Sequence, residues 1–467
     1  MYLSCLGIKN IKYFEDINLL FQTHKTGDPQ SNWNVILGGN GDGKTTLLQA
    51  VAVCLMDVTT AGTLLSPEHW VRRNQKKSMI IAKIGQDQND VKKGRPFSDP
   101  ISERNIQYLI VGSETELKTI DDAQKYFPVA TIVEPELGLA AHFEDIDEAV
   151  KNVDFFKRNV YSESEKSGWL SCGYGAFRRT SGFASDTVKM NQQVQKRFLT
   201  LFNEGAALYS CEDWLKELDR KATKSKQDSE RRKTLNEVKD TLASLLPDVV
   251  KIEIDDEVQF HWKDGTVGLG QLSDGYRSMF ALIVDILRWL SLMRPVGASI
   301  TSMSGIVLID EIDSHLHPSW QRKIGFMLVE KFPNIQFIVT THSPFVAMAA
   351  GRGALTILEK DGDSVAANQE ITDVRGWSVG RMLNDVFAIE SLRDPKTTEM
   401  QTQFEELRLK SKNGGLTSHE NTEFENLKSE LDSRLQGENE SPLLKQMDED
   451  FIYFAKAVAE GKATLRK

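Results

Sequence analysis

Eight consecutive residues, Gly38-Gly39-Asn40-Gly41-Asp42-Gly43-Lys44-Thr45, constrain this chain more than any other stretch. They match G-x-x-x-x-G-K-[ST], a loop that cradles phosphate. Glycines let the backbone wrap a triphosphate closely, with successive N–H groups turned inward as an anion nest. The run 33–37 before the loop predicts a strand, and the apolar pattern after it predicts a helix to about Met56. That helix aims its positive end at the phosphates. Lys44 is then placed to reach the β and γ phosphates, and the Thr45 hydroxyl to hold Mg²⁺. Gly38, Asn40, Gly41, Gly43 and Thr46 complete the expected ATP cradle. A chance glycine-rich turn is the bland alternative, but the strand before and the helix after are the context the motif requires. The chain is read as a nucleotide-binding protein.

A second strand predicted downstream, Gly305-Ile306-Val307-Leu308-Ile309-Asp310-Glu311, carries two carboxylates to its end. Mg²⁺-dependent nucleotide hydrolysis needs such a pair: Asp310 to hold the metal through water, Glu311 to take a proton from the attacking water. Acids at a strand tip that simply meets solvent are the alternative. A third run, Phe337-Ile338-Val339-Thr340-Thr341-His342, ends in a histidine, near the crevice where open α/β sheets bind ligands. The Leu272-Ser273-Asp274-Gly275 stretch precedes an apolar helix over 279–292, with Ser273 as its natural N-cap. Cys172-Gly173-Tyr174-Gly175 followed by Arg178-Arg179 reads as a strand and tight turn delivering positive charge to a sheet end; a surface turn with solvated arginines is the alternative. His315-x-His317 has no carboxylate or cysteine partner at metal-ligand spacing.

Bulk properties exclude less. At 467 residues the chain has room for two or three structural units, and 40% hydrophobic with 27% charged residues is ordinary for a soluble protein. No apolar run is long enough to span a bilayer, so no membrane role is expected, and the N-terminus lacks the pattern of a secretory signal. Four scattered cysteines imply neither a disulfide framework nor zinc, and fit reduced thiols in a cytoplasmic protein. A net charge of -10 argues against a uniformly basic nucleic-acid binder but leaves a local basic groove open, so DNA stays an open partner.

Two short strands are predicted at 3–8 and 17–21, joined by a polar turn; 78–84 is a further mostly apolar stretch and 106–111 a strand candidate. The acidic run 117–166 receives no function. Residues 186–248 read as a helical insertion with a charged middle, and 249–254 with 258–262 as a hairpin. After 391 the composition changes. Met400, Phe404 and Leu407 trace a helix stopped at Asn413-Gly414-Gly415, Thr417 and Glu420 form a capping box before a second helix, and Ser441-Pro442 opens a third. This tail either packs on its own core or docks a partner. The expected division is therefore 1–185, 186–248, 249–390 and 391–467.

In this order the phosphate loop, Leu-Ser-Asp-Gly, Ile-Asp-Glu and Thr-Thr-His-Ser-Pro resemble the four motifs of ABC-type ATPase heads, closely over 35–60, 170–180 and 270–345. The long stretch between the first two is similar to the recombination-repair (RecF, SMC-like) branch. Tyr-Gly-x-x-Arg-Arg and Ser-His-Leu-His-Pro resemble ATPases of bacterial defence systems, OLD-like and above all the PtuA type of Septu systems, which works with an HNH nuclease. Asp385-Val386-Phe387 and Arg393-Asp394-Pro395 are also PtuA-like, with less specificity. The resemblance implies an α/β P-loop NTPase, an ABC-ATPase head with a helical insertion and a helical C-terminal tail. It implies a homodimer, or a larger assembly, that sandwiches ATP between heads, with Ser273 and Gly275 of one subunit touching the nucleotide held by the other. His342 would sense the γ-phosphate and Asp313 would couple the two sites. Ser-Asp-Gly stands where Ser-Gly-Gly is commoner, which implies slow turnover. The glutamine that reaches Mg²⁺ in such heads could be Gln86, Gln88 or Gln107.

Neither a Toprim-like acidic cluster nor a His-Asn-His nuclease motif is visible. The expected function is an ATPase that senses infection in an anti-phage system, Septu-like or retron-associated, and regulates a partner nuclease (HNH, PtuB-like) or toxin through its C-terminal helices. The alternatives are a RecF/SMC-like repair ATPase acting directly on DNA, and a scaffold that holds ATP structurally.

Overall fold

The computed structural model describes residues 1–23, 29–56, 61, 64–65, 69–75, 77–85, 91–92, 95–96, 103–111, 131–134, 139–142, 169–178, 183–184, 193–224, 229–246, 248–255, 257–389, 391–413 and 415–435. The chain begins with β1 (Tyr2–Ile11), β2 (Phe14–Leu20), β3 (Trp33–Gly38), α1 (Lys44–Cys54) and β4 (Lys77–Gly85). Strands β5 (Val91–Lys92), β6 (Arg95–Pro96), β7 (Glu103–Val111), β8 (Thr131–Glu134), β9 (Leu139–His142), β10 (Trp169–Tyr174) and β11 (Phe183–Ala184) follow. Next come α2 (Gln193–Phe202), β12 (Ala206–Ala207), α3 (Cys211–Thr223), α4 (Glu230–Leu245), β13 (Val249–Ile254), β14 (Val258–Trp262), β15 (Gly265–Gly268) and α5 (Asp274–Met293). Then β16 (Ser304–Ile309), α6 (Pro318–Lys331), β17 (Ile335–Thr341), α7 (Pro344–Ala347), β18 (Leu355–Asp361) and β19 (Ser364–Glu370) lead to α8 (Val379–Asp385), α9 (Pro395–Asn413) and α10 (Ser418–Leu435).

Every residue of β16 and β17 is buried, and so is nearly all of β3. Strands apolar on both faces need cover on both sides, which a parallel sheet between layers supplies. These three form the centre of a sheet ordered β10-β16-β17-β3-β18-β19, parallel from β10 to β18 and closed by antiparallel β19. A second, antiparallel sheet runs β2-β1-β4-β7-β9-β8. Helix α1 buries Leu47, Leu48, Ala50, Val51, Ala52, Val53 and Cys54, apolar nearly all round, as a helix enclosed by other elements requires. Its core includes Leu6, Ile8 and Phe14 from the antiparallel sheet and Ile306, Leu308 and Ile338 from the parallel one. The fold is α/β, with α1 held between two sheets so that its N-terminus opens at the ends of the parallel strands.

The structure departs from the sequence reading in several places. The first two strands run to Ile11 and from Phe14, leaving only Lys12 and Tyr13 as the turn. Asn10 and Lys12 take positive φ (56° and 47°), which folds the chain back sooner than the polar composition of 10–16 implied. The predicted hairpin at 249–262 gains a third strand, β15. The β18–β19 hairpin was not predicted; its two-residue turn, Gly362-Asp363, uses Gly362 at φ 59°. The third tail helix predicted from Ser441 lies outside the described residues, as do the acidic run's undescribed parts, Arg179, Gln86 and Gln88.

The chain divides into two compact units, Met1–Met382 and Leu383–Lys467. Helices α3 and α4, from the expected insertion, belong to the first. There Arg294 donates to the Ala298 carbonyl at 2.7 Å and to Glu237 at 3.4 Å, and Ile300 N–H donates to Glu237 at 2.6 Å, which pins α4 to the end of α5. In the second unit α9 and α10 meet through stacked Phe404 and Phe424, 4.7 Å between centroids. Thr417 N–H donates to Glu420 Oε2 (2.9 Å) and Glu420 N–H to Thr417 Oγ1 (3.3 Å), a reciprocal capping box at the start of α10. No helix among the described residues is long and apolar enough to cross a membrane.

Candidate nucleotide site

Parallel strands β3, β16 and β17 end side by side, and each delivers one predicted motif to the same crevice. After β3 the loop turns through Gly41 (φ 83°) and Gly43 (φ 87°), left-handed conformations that favour glycine. Gly43 is required twice: a Cβ there would lie 2.7 Å from the Phe14 ring, which reaches under the loop from the β1–β2 turn. Gly39 N–H donates to the Asp42 carboxylate, a bond that folds the loop on itself. Gly39, Asn40 and Gly41 are exposed, so the concave face is open to a ligand. Lys44 is 6% exposed and donates from Nζ to the carbonyls of Gly38 (3.0 Å) and Gly39 (2.8 Å). Burial pushes its pKa down, opposed by the charges of Asp310, Glu311, Asp42 and Asp313. Thr46 is buried on α1 behind the loop.

Thr45 Oγ1 donates to Asp310 Oδ2 at 2.6 Å, joining the phosphate loop to the end of β16. Thr340 Oγ1, at the end of β17, donates to Asp310 Oδ1 at 2.5 Å and accepts Glu311 N–H at 2.7 Å. Burial raises the Asp310 pKa, against the lowering effect of these two hydroxyls. Beyond Asp310 the chain leaves the sheet through Glu311, which sits at φ 44°. A glutamate held there costs about 1–2 kcal/mol and persists only where its surroundings enforce it. Its carboxylate accepts from Ser314 Oγ at 3.2 Å.

The enforcement comes from β10. Asp310 N–H donates to the Tyr174 carbonyl (2.8 Å), which continues the β10–β16 ladder one step past the strands. Arg178, four residues on, is 3% exposed and itself at φ 34°. It donates from Nη1 to the Asp310 carbonyl (2.8 Å), from Nη2 to the Glu311 carbonyl (3.1 Å) and from Nε to Ser278 Oγ (3.4 Å). The turn does bring positive charge to a sheet end, but that charge is buried in the turn beneath Glu311 rather than offered to solvent. Burial lowers the Arg178 pKa to about 10.

Asp313 accepts from Thr341 Oγ1 at 2.5 Å and from His342 N–H at 3.4 Å. His342 Nε2 is buried without a hydrogen-bond partner among the described residues. Ser273 and Gly275 stand at the start of α5. Ser273 Oγ accepts Tyr276 N–H at 3.4 Å, the predicted N-cap. Gly275 packs so tightly that a Cβ would fall 2.1 Å from the His315 carbonyl oxygen. Next to it, Tyr276 sits edge-on to Trp320, 4.4 Å between centroids. His317 caps α6, its Nδ1 accepting Ser319 N–H at 3.3 Å, and no cluster of metal-ligating side chains occurs among the described residues.

A phosphate loop, a strand-end carboxylate bonded to its threonine, and a histidine directly after a third strand thus meet at one crevice. Residues 33–349 match the family model described as "AAA domain, putative AbiEii toxin, Type IV TA system". The chain belongs to this AAA-domain family. It is 26% identical to the Septu protein PtuA of Bacillus mycoides (strain KBAB4) over 396 residues, which cover 83% of this chain and 44% of that protein. It is 37% identical to the retron Ec83 probable ATPase of Escherichia coli over 180 residues, 38% of this chain and 32% of the relative. The chain thus spans less than half the length of these two relatives. A solved Smc head bound to the C-winged helix domain of ScpA covers 79% of this chain and 97% of its own, at 13% identity and TM-score 0.47.

Two residues at or near the candidate site carry no role in the sequence reading, Thr340 within it and Tyr13 beside Phe14. Thr340 was read as strand, yet its hydroxyl spans both acids; the Thr340-Thr341 pair within an otherwise apolar run was the available signal. Tyr13 is 52% exposed in the turn whose Phe14 underlies Gly43, while its carbonyl accepts from Arg72 (2.8 Å) and Val365 N–H (3.0 Å). Nothing local in the sequence marks that turn as adjoining a loop further along the chain.

Proposed function

We propose that this AAA-domain protein binds and hydrolyses ATP with Mg²⁺, and that it does so as a sensor and regulator in anti-phage defence. The 2.6 Å bond from Thr45 Oγ1 to Asp310 Oδ2 carries the reading. It joins the two groups that hold a hydrated magnesium ion in P-loop enzymes, on a loop whose backbone is already wound for phosphate. The residues fit both groups: glycines where side chains would clash, a carboxyl desolvated by burial, and a buried His342 Nε2 without a partner among the described residues. Gly38, Asn40, Gly41, Gly43 and Thr46 would wrap the phosphates, Lys44 would neutralise them, and Thr45 and Asp310 would hold Mg²⁺. The metal supplies charge neutralisation at the transferring phosphoryl group. Lys44 would exchange the carbonyls of Gly38 and Gly39 for phosphate oxygens, and Thr45 would offer an oxygen lone pair to the cation while its O–H remains able to donate to Asp310. Glu311 would orient the attacking water and accept its proton, and His342, following the neighbouring β17, would donate to the outermost phosphate.

Ser273 is exposed at the start of α5 beside half-buried Gly275, which supports a role in meeting the nucleotide held by a second copy of the chain. A homodimer of heads sandwiching ATP is the proposed active assembly. Similarity to a Septu PtuA and a retron-associated probable ATPase supports the defence setting. The effector, a nuclease (HNH, PtuB-like) or toxin, is proposed to dock on the helices after 391. The test is Glu311→Gln protein expressed with its native neighbouring genes, purified with Mg-ATP and weighed intact. A dimer or larger assembly carrying a nuclease or toxin is the expected result. A bare dimer that retains DNA would replace the defence reading with a repair one, and normal turnover by Glu311→Gln would remove Glu311 from catalysis.

A further inference from the structure

We infer that Arg178 is a positioning residue that links the start of α5 to the Glu311 turn, so that contact made at Ser273 sets the aim of Glu311 within the same subunit. This rests on the dimer reading above and deepens it: in a sandwich, Ser273 serves the partner's nucleotide and Glu311 its own. Arg178 then joins the two ATP sites through the body of each subunit.

Three observations converge. Arg178 spans two elements at once, holding Ser278 on the first turns of α5 and the carbonyls of Asp310 and Glu311 past β16. Among the described residues these are backbone and hydroxyl acceptors rather than carboxylates, so the planar fork reads positions; a guanidinium fixes two carbonyls in one geometry where an ammonium cannot. The middle of the link and its Glu311 end are strained. Arg178 (φ 34°) and Glu311 (φ 44°) are left-handed residues following neighbouring parallel strands. Such a pair has little tolerance, and a small movement of Ser278 is passed to the Glu311 carbonyl instead of being absorbed. The same helix start is also held by Gly275 against the His315 carbonyl and by Tyr276 against Trp320. A rigid segment between two contacts moves as one piece. A purely structural arginine would need neither a hydroxyl on α5 nor a strained acceptor turn.

The full chain is tested as Arg178→Lys and Ser278→Ala, with wild type, Lys44→Ala and Glu311→Gln alongside. ATP affinity, melting temperature, kcat and the rise of rate with protein concentration are measured for each. Ser278→Ala keeps both carbonyl bonds, so it reads the link even where Arg178→Lys folds poorly. Expected are ATP affinity close to wild type for both, a melting temperature close to wild type for Ser278→Ala and lower for Arg178→Lys, and kcat lower by about tenfold for folded Arg178→Lys and about threefold for Ser278→Ala, the size of small misplacements of a catalytic group. The rise of rate with concentration should flatten in both. If wild type dimerises and turns over while Ser278→Ala and a folded Arg178→Lys match its kcat and concentration dependence, the link is overturned and the proposed function stands. If wild type neither dimerises nor hydrolyses ATP, the proposed function falls first and takes this inference with it.

Discussion

Thr340 and Asp310 are joined by a 2.5 Å hydrogen bond from the end of β17 to the end of β16, and the same hydroxyl accepts Glu311 N–H at 2.7 Å. Thr340 is fully buried, so neither bond is shared with bulk water. Thr340→Val keeps the shape and removes both bonds, leaving Glu311 N–H unsatisfied at the head of a strained turn. Loss of stability by about 1–3 kcal/mol is expected from the orphaned donor. Turnover should fall by about ten- to a hundredfold as both acids lose their register. Thr340→Ser should restore most of each. Urea unfolding and phosphate release measure the two effects separately.

Asp310 makes the stability of the ligand-free protein depend on pH in a defined direction. Burial raises its carboxyl pKa above 3.8, so the folded chain holds this proton more tightly than the unfolded chain does. The contribution is therefore fully present below the unfolded value and is lost as pH rises through the folded one. Asp310→Asn does not ionise. Its melting temperature relative to wild type should rise as pH is taken from about 4 to about 7 in the absence of nucleotide. The advantage should reverse in Mg-ATP, where wild type is stabilised by binding and the variant is not. A pH-independent difference would show that Asp310 is already ionised without a ligand.

The legible parts of this protein are those in which chemistry and local structure coincide. The phosphate loop announces itself because glycine, lysine and threonine are each needed at fixed spacing, and the apolar runs ending at Ile309 and Thr341 require a buried parallel sheet. Ser273 was legible as a cap because capping is local, as was the Thr417–Glu420 box. Arg178 was only half legible. Its charge and place after a strand could be read, but whether it faced solvent, a ligand or the carbonyl of Glu311 depends on α5 and β16, both more than 90 residues downstream. Thr340 was missed for the same reason, since it acts on Asp310 and Glu311, about 30 residues earlier in the chain. The β18–β19 hairpin was missed because its turn, Gly362-Asp363, lies within a polar stretch whose alternation is weak.

Gly275 separates a packing requirement from a ligand contact. A Cβ there would come 2.1 Å from the His315 carbonyl oxygen, a backbone atom that has no rotamer by which to move away. Gly275→Ala should destabilise the isolated protein by about 1–3 kcal/mol, the usual cost of overpacking. That loss should appear in urea without nucleotide. Wild-type stability with lost activity would assign the glycine to nucleotide contact alone.

Tyr13 offers an exposed ring one residue before Phe14, whose own ring lies against Gly43 of the phosphate loop. A purine needs a flat surface beyond its phosphates, and stacking on an aromatic ring contributes about 1–3 kcal/mol by alanine substitution. The Tyr13 backbone is held by Arg72 and Val365, so the ring's mounting survives a change of side chain. Tyr13→Ala should raise the ATP Kd about tenfold, near the low end of that range. Tyr13→Phe should leave it unchanged, since the ring and not the hydroxyl carries the contact. Inorganic triphosphate, which has no base, should bind all three proteins alike in a competition titration. If Tyr13→Ala weakens triphosphate and ATP equally, the turn acts on the loop through Phe14 and the base is held elsewhere.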